Sequence, residues 1–350
     1  MFNESRIVHN SGEWNEYIGQ IPDADIYFTP EYCKIYEKNG EGQAQMFVYR
    51  EGNDFVCYPF LLRKVGDLPA VRQLDLREDL YDITTPYGYG GPITNVKETG
   101  KRQDLFRRFS KAFAEACGEL RIIAEFVRFH PVLQNHRDYT AVEPAFNRNT
   151  IHIDLTASES EIQGRYSRDN RNRIRKALKE GLTVKHSPIN EIDSLLSLYY
   201  KTMDKKQASD YYYFPRSFFH DTIADLNGHI ELIEIRLGDQ TIASCLFMHY
   251  NQFVHYHLMG SDKDYLRLAP INLLVHHAAI WAKSRGYRYL HLGGGSSGND
   301  NLYRFKKSFD ETEANDFYTG KMVRNPEAYQ YIVERLGIEE QGSYFPVYRV

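Results

Sequence analysis

The sequence has few of the features that mark membrane, secreted or metal-stapled proteins. No stretch of the chain approaches the ~18–20 consecutive apolar residues of a membrane span. The opening, MFNESRIVHN, is polar where a secretory signal has its apolar run, so we expect a cytoplasmic protein. The cysteines are scattered and form no CxxC pair, which predicts reduced, mostly buried thiols. They are Cys33, Cys57, Cys117 and Cys245.

Charge of either sign is not in excess. The chain has 43 Lys and Arg against 47 Asp and Glu, a formal net charge of −4, so the whole molecule is no polyanion binder. An apolar fraction of 42% and a charged fraction of 26% exclude a largely disordered chain. Aromatic residues are abundant, with 27 Tyr, 20 Phe and 2 Trp. Tyrosine suits wet clefts because it combines an apolar ring with a polar tip; strand propensity is the alternative reason for its abundance.

The 350 residues suggest two domains, at about 100–200 residues each. The same order, a helix, antiparallel strands, a helix and a strand, occurs twice. In the first half it is predicted at residues 30–38, 44–50, 54–64, 103–118 and 120–130. In the second half it is predicted at residues 191–203, 230–236, 241–250, 253–260, 270–285 and 287–292. We therefore predict two related α/β domains, at residues 1–150 and 151–350.

A basic segment opens the second half. Residues 165–185 hold eight basic and two acidic side chains. Ile174, Ala177 and Leu178 have helical spacing and predict the inward face of a helix that ends at Gly181. Spacings of three and four residues align four cations on one stripe, which suits phosphate groups of a nucleotide, coenzyme A or RNA. They are Arg168, Arg171, Arg175 and Lys179. The alternative is a solvated helix face.

A glycine-rich segment, HLGGGSSGNDNLYRFKKSFD, spans residues 291–310. A strand that ends in Gly293, Gly294 and Gly295 places flexible backbone at the carboxyl edge of a sheet, where α/β proteins bind ligands. Amides there are suited to holding an anion. The alternative is a loop packed by Phe305 and Phe309, with solvated lysines.

The predicted strand at residues 253–261 carries histidines. Strict alternation puts His255, His257 and Met259 on one face, where imidazoles serve as acid–base groups or metal ligands. The remaining histidines considered are scattered in sequence, so no metal is expected. They are His249, His276, His277 and His291. The sequence contains no nucleophile elbow, Walker A loop or HExxH motif.

The order and spacing of several motifs resemble those of a known family. They are NRNRIRKALKEG, YHLMGSD, GYRYLHLGGG and YRFKKSFD in the second half, with FTPEYCKIYEKNG (28–40) and YGYGGP (87–92) in the first. Together they resemble the FemABX aminoacyl transferases and their acyl-CoA-using relatives in the GNAT superfamily. The resemblance covers most of the chain. It implies two GNAT-like domains, each a mostly antiparallel mixed sheet flanked by helices.

The resemblance also implies a site. Lys306 of the FK motif lies near phosphate or developing negative charge, and Tyr256 touches the acceptor. On chemical grounds Tyr256 or Tyr303 protonates the leaving group, and Asp310 is the candidate base. The predicted substrate-binding residues are Tyr36, Tyr89, Tyr211, Tyr213, His257 and Arg304. The sequence departs from the family at Tyr32 and Tyr36, which stand where members that use a nucleotide-linked muropeptide have Trp and Lys, and in residues 265–270, which lack the glycines of a CoA loop.

Three functions remain open at this point. The first is an N-acyltransferase that moves an acyl group from acyl-CoA to an amine on a cell-wall or surface-glycan precursor. The second uses aminoacyl-tRNA and adds an amino acid to a peptidoglycan precursor. The third is a non-enzymatic module that binds tRNA or a nucleotide. The expected partners are an amine acceptor, tRNA in the second case, and a lipid-linked precursor by peripheral contact. The protein is expected to be a monomer or dimer.

Overall fold

The computed structural model describes residues 3–206, 209–296, 298, 300–312, 314–338 and 344–349. The chain forms two compact units: unit 1 is Met1–Asn147 with Phe317–Val350, and unit 2 is Arg148–Asp316. The sequence predicts a second domain at residues 151–350. In the structure, the C-terminal segment Phe317–Val350 belongs to unit 1 instead. No helix among the described residues is both long and apolar enough to cross a bilayer.

Helices and strands alternate along both units. The helices are α1 Ser11–Ile18, α2 Pro30–Lys38, α3 Thr99–Glu119, α4 Glu159–Arg165, α5 Arg168–Lys179, α6 Asp193–Lys206, α7 Arg216–Asp225, α8 Pro270–Ser284, α9 Asn301–Lys307 and α10 Pro326–Leu336. The strands are β1 Asn3–Val8, β2 Gln43–Glu51, β3 Asp54–Lys64, β4 Tyr81–Thr84, β5 Ile93–Thr94, β6 Ile122–Arg128, β7 Pro144–Asp154, β8 Leu182–Ser187, β9 Ile230–Leu237, β10 Gln240–Tyr250, β11 Phe253–Ser261, β12 Tyr289–Gly294 and β13 Asn315–Val323.

Unit 1 has a sheet in the order β1-β2-β3-β4-β6-β13, with β5 paired to β3. Its neighbouring strands are antiparallel, except that β4 runs parallel to β6. Helix α3 lays Phe109 and Phe113 onto the sheet, where they pack with Phe47 and Tyr58. Residues of α10 pack with Ile123 of β6 in a separate cluster. The β2–β3 hairpin and α3 are where the sequence predicts them.

Two buried ion pairs attach the C-terminal segment to unit 1. Arg324 donates to Glu125 of β6, with Nε and Oε2 2.9 Å apart. Asp82 of β4 is fully buried and accepts from Arg63 and from Arg349, each at 2.6 Å. Because a buried carboxylate requires a cation to replace its hydration, the last residues complete the charge balance of unit 1.

Unit 2 has a sheet in the order β7-β12-β11-β10-β9-β8. All neighbours are antiparallel except β11 and β12, which are parallel. Helices α5 and α8 cover one face and share its apolar core. Helix α6 crosses the other face so closely that a Cβ at Gly260 would lie 2.3 Å from the backbone of Leu198. Only glycine fits there, and this closeness fixes α6 against β11.

The basic segment contains one helix, α5, as predicted, and the short helix α4 precedes it. The chain breaks after α4, and Ser167 caps α5 by accepting from the amide of Asn170. Leu178, predicted to point inward, is 56% exposed. Asn170 completes the buried face instead, because its side chain bonds to Ser308 O at 3.1 Å and to Asn272 at 2.9 Å. The hydrophobic spacing fits more than one rotation of the helix, and these polar contacts decide which residues are buried.

Candidate functional site

The parallel strands β11 and β12 separate part-way along the sheet of unit 2. Their pairing ends where His255 lies opposite His291. Beyond that point β12 continues to pair with β7, with Gly294 opposite Thr150, and β11 continues with β10. The second half of β11 and the end of β12 therefore face an opening. Backbone groups at such a split are available to a ligand, and this kind of opening at strand ends is where α/β sheets bind substrates.

A β-bulge lies beside this opening. Leu258 pairs with Leu246 and Tyr256 pairs with Phe247, so His257 is the additional residue of β11. The predicted alternation is therefore wrong: Tyr256 and Met259 both pack against the core shared with α8. Burial, and next the neighbouring His255, lower the pKa of His257 to about 3. Its imidazole is neutral at neutral pH.

Lys306 reaches the opening from α9. Asp300 fixes the start of this helix by accepting from the amide of Tyr303 at 2.7 Å and from that of Ser296 at 2.6 Å. The Lys306 ammonium donates to Gly294 O at 2.7 Å and lies 5.9 Å from the centre of the Tyr256 ring. Lys306 is 8% exposed. The fold thus brings together two residues that lie 50 positions apart.

The hydroxyl of Tyr256 is buried and has no hydrogen-bond partner among the residues that the structure describes. Burial raises the pKa of this phenol well above its ordinary value, so the group keeps its proton. Cys245 of the neighbouring strand is also buried, and burial raises the pKa of its thiol. A buried hydroxyl that lacks a partner is costly and suits a site that a substrate atom fills.

The glycine-rich loop positions α9. Gly294 O accepts from Lys306, and Gly295 O accepts from Arg148 at 2.6 Å. A Cβ at Gly295 would lie 2.4 Å from Asp300 Oδ1, so the loop and the helix cap can approach only because this residue is glycine. The amides of Ser296 and Tyr303 donate to Asp300, so these two groups are used within the chain.

A cleft of about 490 Å³ opens beside α9, lined by Ser167, Tyr303, Arg304, Lys307, Ser308 and Glu311. The predicted residues Tyr303 and Arg304 both face it. Asp310 does not line it: this carboxylate is 3% exposed and accepts from the amide of Thr312 at 2.9 Å, with Arg165 at 4.0 Å. The base predicted from the sequence is therefore engaged in holding the chain after α9.

The predicted stripe of cations lies on α5, as expected, but its members have different contacts. Arg171 donates to Gly164 O at 3.2 Å and to Tyr166 O, which closes the end of α4. Arg175 donates to Asn172 Oδ1 at 3.1 Å. Arg168 and Lys179 are exposed on the outer surface. Of the four predicted cations, Arg171 therefore holds the end of α4, whereas Arg168 and Lys179 lie at the surface.

The start of α8 has a geometry that the sequence does not reveal. Ala269 has φ 58° and ψ 45°, the left-handed region that favours glycine, and Pro270 follows at the first helical position. Lys176 of α5 donates to Arg267 O at 2.7 Å. The amide-bearing end of a helix attracts anions, and Lys176 and Arg267 add cations close to it. Neither residue is predicted as a site residue from the sequence, in which Pro270 marks only the start of a helix.

The predicted substrate-binding tyrosines differ in exposure. Tyr36 is 1% exposed, and its hydroxyl lies 3.1 Å from that of Tyr32, inside unit 1. Tyr89 is half-buried against Tyr27. Tyr211 and Tyr213 lie between α6 and α7 and are 44% and 36% exposed.

Comparison with known proteins supports this description. Residues 165–307 match the family model for an acetyltransferase (GNAT) domain. This range contains the β11–β12 opening, the start of α8 and Lys306. No curated protein matches the sequence.

Solved structures show the same fold over almost the whole chain. FemX matches with a TM-score of 0.72 at 15% identity, covering 93% of this chain and 99% of that one. The C-terminal domain of a putative lysylphosphatidylglycerol synthetase from Agrobacterium fabrum matches with a TM-score of 0.53 at 14% identity, covering 95% and 99%. A conserved protein of unknown function from Bacteroides thetaiotaomicron matches with a TM-score of 0.53 at 12% identity, covering 83% and 89%.

The family model identifies residues 165–307 as an acyltransferase domain of the GNAT type, and the chain has the fold of FemX. The resemblance predicted from the sequence, to FemABX-like proteins of the GNAT superfamily, is thus confirmed for this domain and for the fold. The predicted fold class, two α/β units with mostly antiparallel mixed sheets flanked by helices, is confirmed as well.

Proposed function

We propose that unit 2 is an N-acyltransferase that moves an acyl group from an acyl-CoA thioester to an amine. One observation carries the proposal. The separation of β11 and β12 leaves an opening beside Tyr256, whose buried hydroxyl has no partner in the described part of the chain, and beside the ammonium of Lys306. A proton donor and a fixed positive charge at one opening suit acyl transfer.

The reaction assigns each group a task. The neutral amine attacks the thioester carbonyl, a C–N bond forms, and the carbonyl oxygen becomes an oxyanion. Lys306 stabilises that charge, together with an amide from the unpaired half of β11. The C–S bond then breaks, and Tyr256 donates its proton to the departing thiolate. The proton that the amine loses passes to solvent, and the Tyr256 phenolate is reprotonated, so charge and atoms balance.

The donor phosphates need cations away from the reacting carbonyl. We assign them to the start of α8, with Lys176 and Arg267 beside it, and to the exposed cations Arg168 and Lys179 of α5. Arg171 is engaged with the end of α4, so its contribution to phosphate binding is smaller.

The cleft beside α9 is our candidate acceptor entrance. Tyr303 supplies an aromatic face, and Arg304 and Lys307 supply two cations. This chemistry suits an amine on a sugar or peptide that also carries phosphate, as a nucleotide- or lipid-linked cell-wall or surface-glycan precursor does. The exposed Tyr211 and Tyr213 extend the aromatic surface of unit 2.

A second candidate uses an aminoacyl ester of tRNA. Attack and oxyanion stabilisation are the same, and Tyr256 protonates a ribose hydroxyl instead of a thiolate. The observation in its favour is the segment that leads into α8: residues 265–270 contain no glycine, and Ala269 holds a left-handed position that glycine favours. The FemX fold agrees with either donor.

Donor binding distinguishes these candidates. We expect acetyl-CoA to bind the full chain with micromolar affinity in calorimetry, and an Arg267→Ala variant to bind it at least tenfold more weakly. Aminoacyl-tRNA binding in a gel shift, without acetyl-CoA binding, would overturn the first proposal and establish the second. Binding of either donor without acyl transfer to any tested amine would favour a non-enzymatic module.

A further inference from the structure

Two histidines of unit 2 face each other on β8 and on the middle of α8, away from the start of α8 that is assigned to the donor phosphates. His186 lies near the carboxyl end of β8, Glu231 lies at the start of β9, and His277 lies on α8. Trp281, one turn further along α8, packs its ring 5.9 Å from that of His186. The sequence gives no sign of this arrangement, because His186 and His277 are 91 positions apart.

The two imidazoles face each other through the same ring atom. His186 Nε2 and His277 Nε2 are 2.8 Å apart. The opposite nitrogen of His186, Nδ1, is hydrogen-bonded to the carboxylate of Glu231. Because a carboxylate only accepts, a neutral His186 carries its proton on Nδ1, and its Nε2 accepts from the Nε2–H of His277. A metal ion at the pair therefore requires the proton of His277 to move to Nδ1 of the same ring.

The hydrogen bond from His186 to Glu231 is of the kind that carboxylates make with the histidine ligands of protein metal sites. A histidine that binds a metal usually donates its other ring N–H to a carboxylate, which fixes the tautomer and raises the basicity of the ligand atom. Glu231 is hydrogen-bonded to Nδ1 of His186 in this way. The side chain of His186 is 34% exposed, so an ion and its waters can reach the pair.

We infer that His186 and His277 form a binding site for a divalent transition-metal ion of the zinc, nickel or copper class, with Glu231 orienting His186. Zinc–nitrogen bonds of about 2.0–2.1 Å in tetrahedral geometry require nitrogens ~3.3 Å apart, so both rings must turn, by roughly 35° each, for their lone pairs to meet one ion. Imidazole ligands favour these metals over magnesium or calcium.

The site is an open one. Among the described residues no third histidine, cysteine or carboxylate places a ligand atom close to both Nε2 atoms. Water completes the coordination, and the affinity is expected in the micromolar range rather than that of a closed structural site. Burial and the nearby His186 and His276 lower the pKa of His277 to about 4, so its imidazole is neutral and able to bind a metal at neutral pH. A bound ion would cross-link the edge strand β8 to α8.

Zinc titration of the chelator-treated full chain by calorimetry tests the site. We expect one saturable site that weakens at least tenfold in His186→Ala and in His277→Gln. His277→Gln keeps a polar side chain beside His186 and guards against misfolding. The matched control is His220→Ala, an exposed histidine of α7, which should bind zinc as the unchanged chain does.

A second readout separates a metal site from a structural histidine pair. Glu231→Gln should weaken zinc binding by about 10–100-fold, the effect typical of losing an outer-sphere carboxylate. Zinc should raise the melting temperature of the unchanged chain and leave that of His277→Gln unaltered. No saturable site in the unchanged chain, or full zinc affinity retained in folded His277→Gln, would overturn the inference.

Discussion

Lys306 and Gly294 are joined across the end of β12: the ammonium donates to the carbonyl oxygen over 2.7 Å. A carbonyl oxygen is a neutral acceptor, so this hydrogen bond fixes the position of the ammonium group. The lysine is only 8% exposed, so that charge acts in a region from which water is largely excluded. Electrostatic stabilisation is strongest under such conditions.

Removing this charge should mainly affect the chemical step. We expect Lys306→Ala to lower turnover at least ~100-fold, equivalent to ~2.7 kcal/mol of transition-state stabilisation. Steady-state kinetics with the donor identified by calorimetry measure it. The matched control is Lys185→Ala, an exposed lysine of β8 that pairs with Glu191 and should leave the rate unchanged. A wild-type rate in folded Lys306→Ala would remove this residue from the mechanism.

Tyr256→Phe should separate activity from stability. The substitution deletes a buried hydroxyl that has no partner among the described residues, so the free energy of unfolding should stay the same or rise slightly. Activity should fall by a factor of ~100, within the range typical of general acids. As a control, Tyr287→Phe removes a hydroxyl bonded to His249 at 2.8 Å and should retain activity. Loss of stability without loss of activity in Tyr256→Phe would contradict the assigned role.

Asp82 should be important for the stability of unit 1. Asp82→Ala leaves the guanidinium groups of Arg63 and Arg349 without their buried carboxylate, which typically costs about 3–5 kcal/mol. Chemical denaturation measures it. Asp79→Ala breaks an exposed pair with Lys64 and should cost at most ~1 kcal/mol. Equal effects of the two substitutions would show that the buried pair has no special role.

Stability should also fall in mild acid. His277 has a pKa of about 4 in the folded chain against an ordinary value of 6.5, owing to burial and then to His186 and His276. The unfolded chain therefore binds more protons, and the stabilisation present above pH 6.5 is lost as the pH falls towards 4. His277→Gln should flatten this dependence in denaturation measured between pH 7 and pH 5. An unchanged slope would mean that other groups govern it.

Ala269 provides a test of local strain. Its left-handed backbone costs an alanine about 1–2 kcal/mol that a glycine avoids, partly offset by the greater freedom of glycine when unfolded. We expect Ala269→Gly to raise the free energy of unfolding by up to ~1 kcal/mol. The comparison is Ala278→Gly inside α8, which should lower it by at least ~1 kcal/mol.

The sequence predicts regular elements well and their junctions poorly. Periodicity placed α2 at residues 30–38, the helix that became α3, and the three antiparallel strands of unit 2, because each buries one face. It failed at His257, where a bulge reverses the alternation, and at Leu178, where the contacts of Asn170 fix the rotation of the helix. Both outcomes depend on partners distant in sequence.

The candidate site was predictable only in part. Lys306, Tyr256, Tyr303 and Arg304 were named from motifs, and the structure places all four around α9 or the β11–β12 opening. The roles of Asp300 and Asp310 were not readable, because a carboxylate that caps a helix looks the same in sequence as one that accepts a proton. The pairing of His186 with His277 required the fold.

Because unit 1 contains both Met1–Asn147 and Phe317–Val350, the order in which the ribosome makes the chain affects the folding of the two units. Unit 2 is one continuous segment, and all of it leaves the ribosome before Lys321 and Val323, which pair with β6. Unit 2 starts later in the chain than unit 1, but its strands are all synthesised before those of unit 1 are complete. Until the C-terminal segment is made, one side of β6 in unit 1 is unpaired. Glu125 then lacks its partner Arg324, and Asp82 lacks its partner Arg349. Chains released early would have a complete unit 2 and an incomplete unit 1.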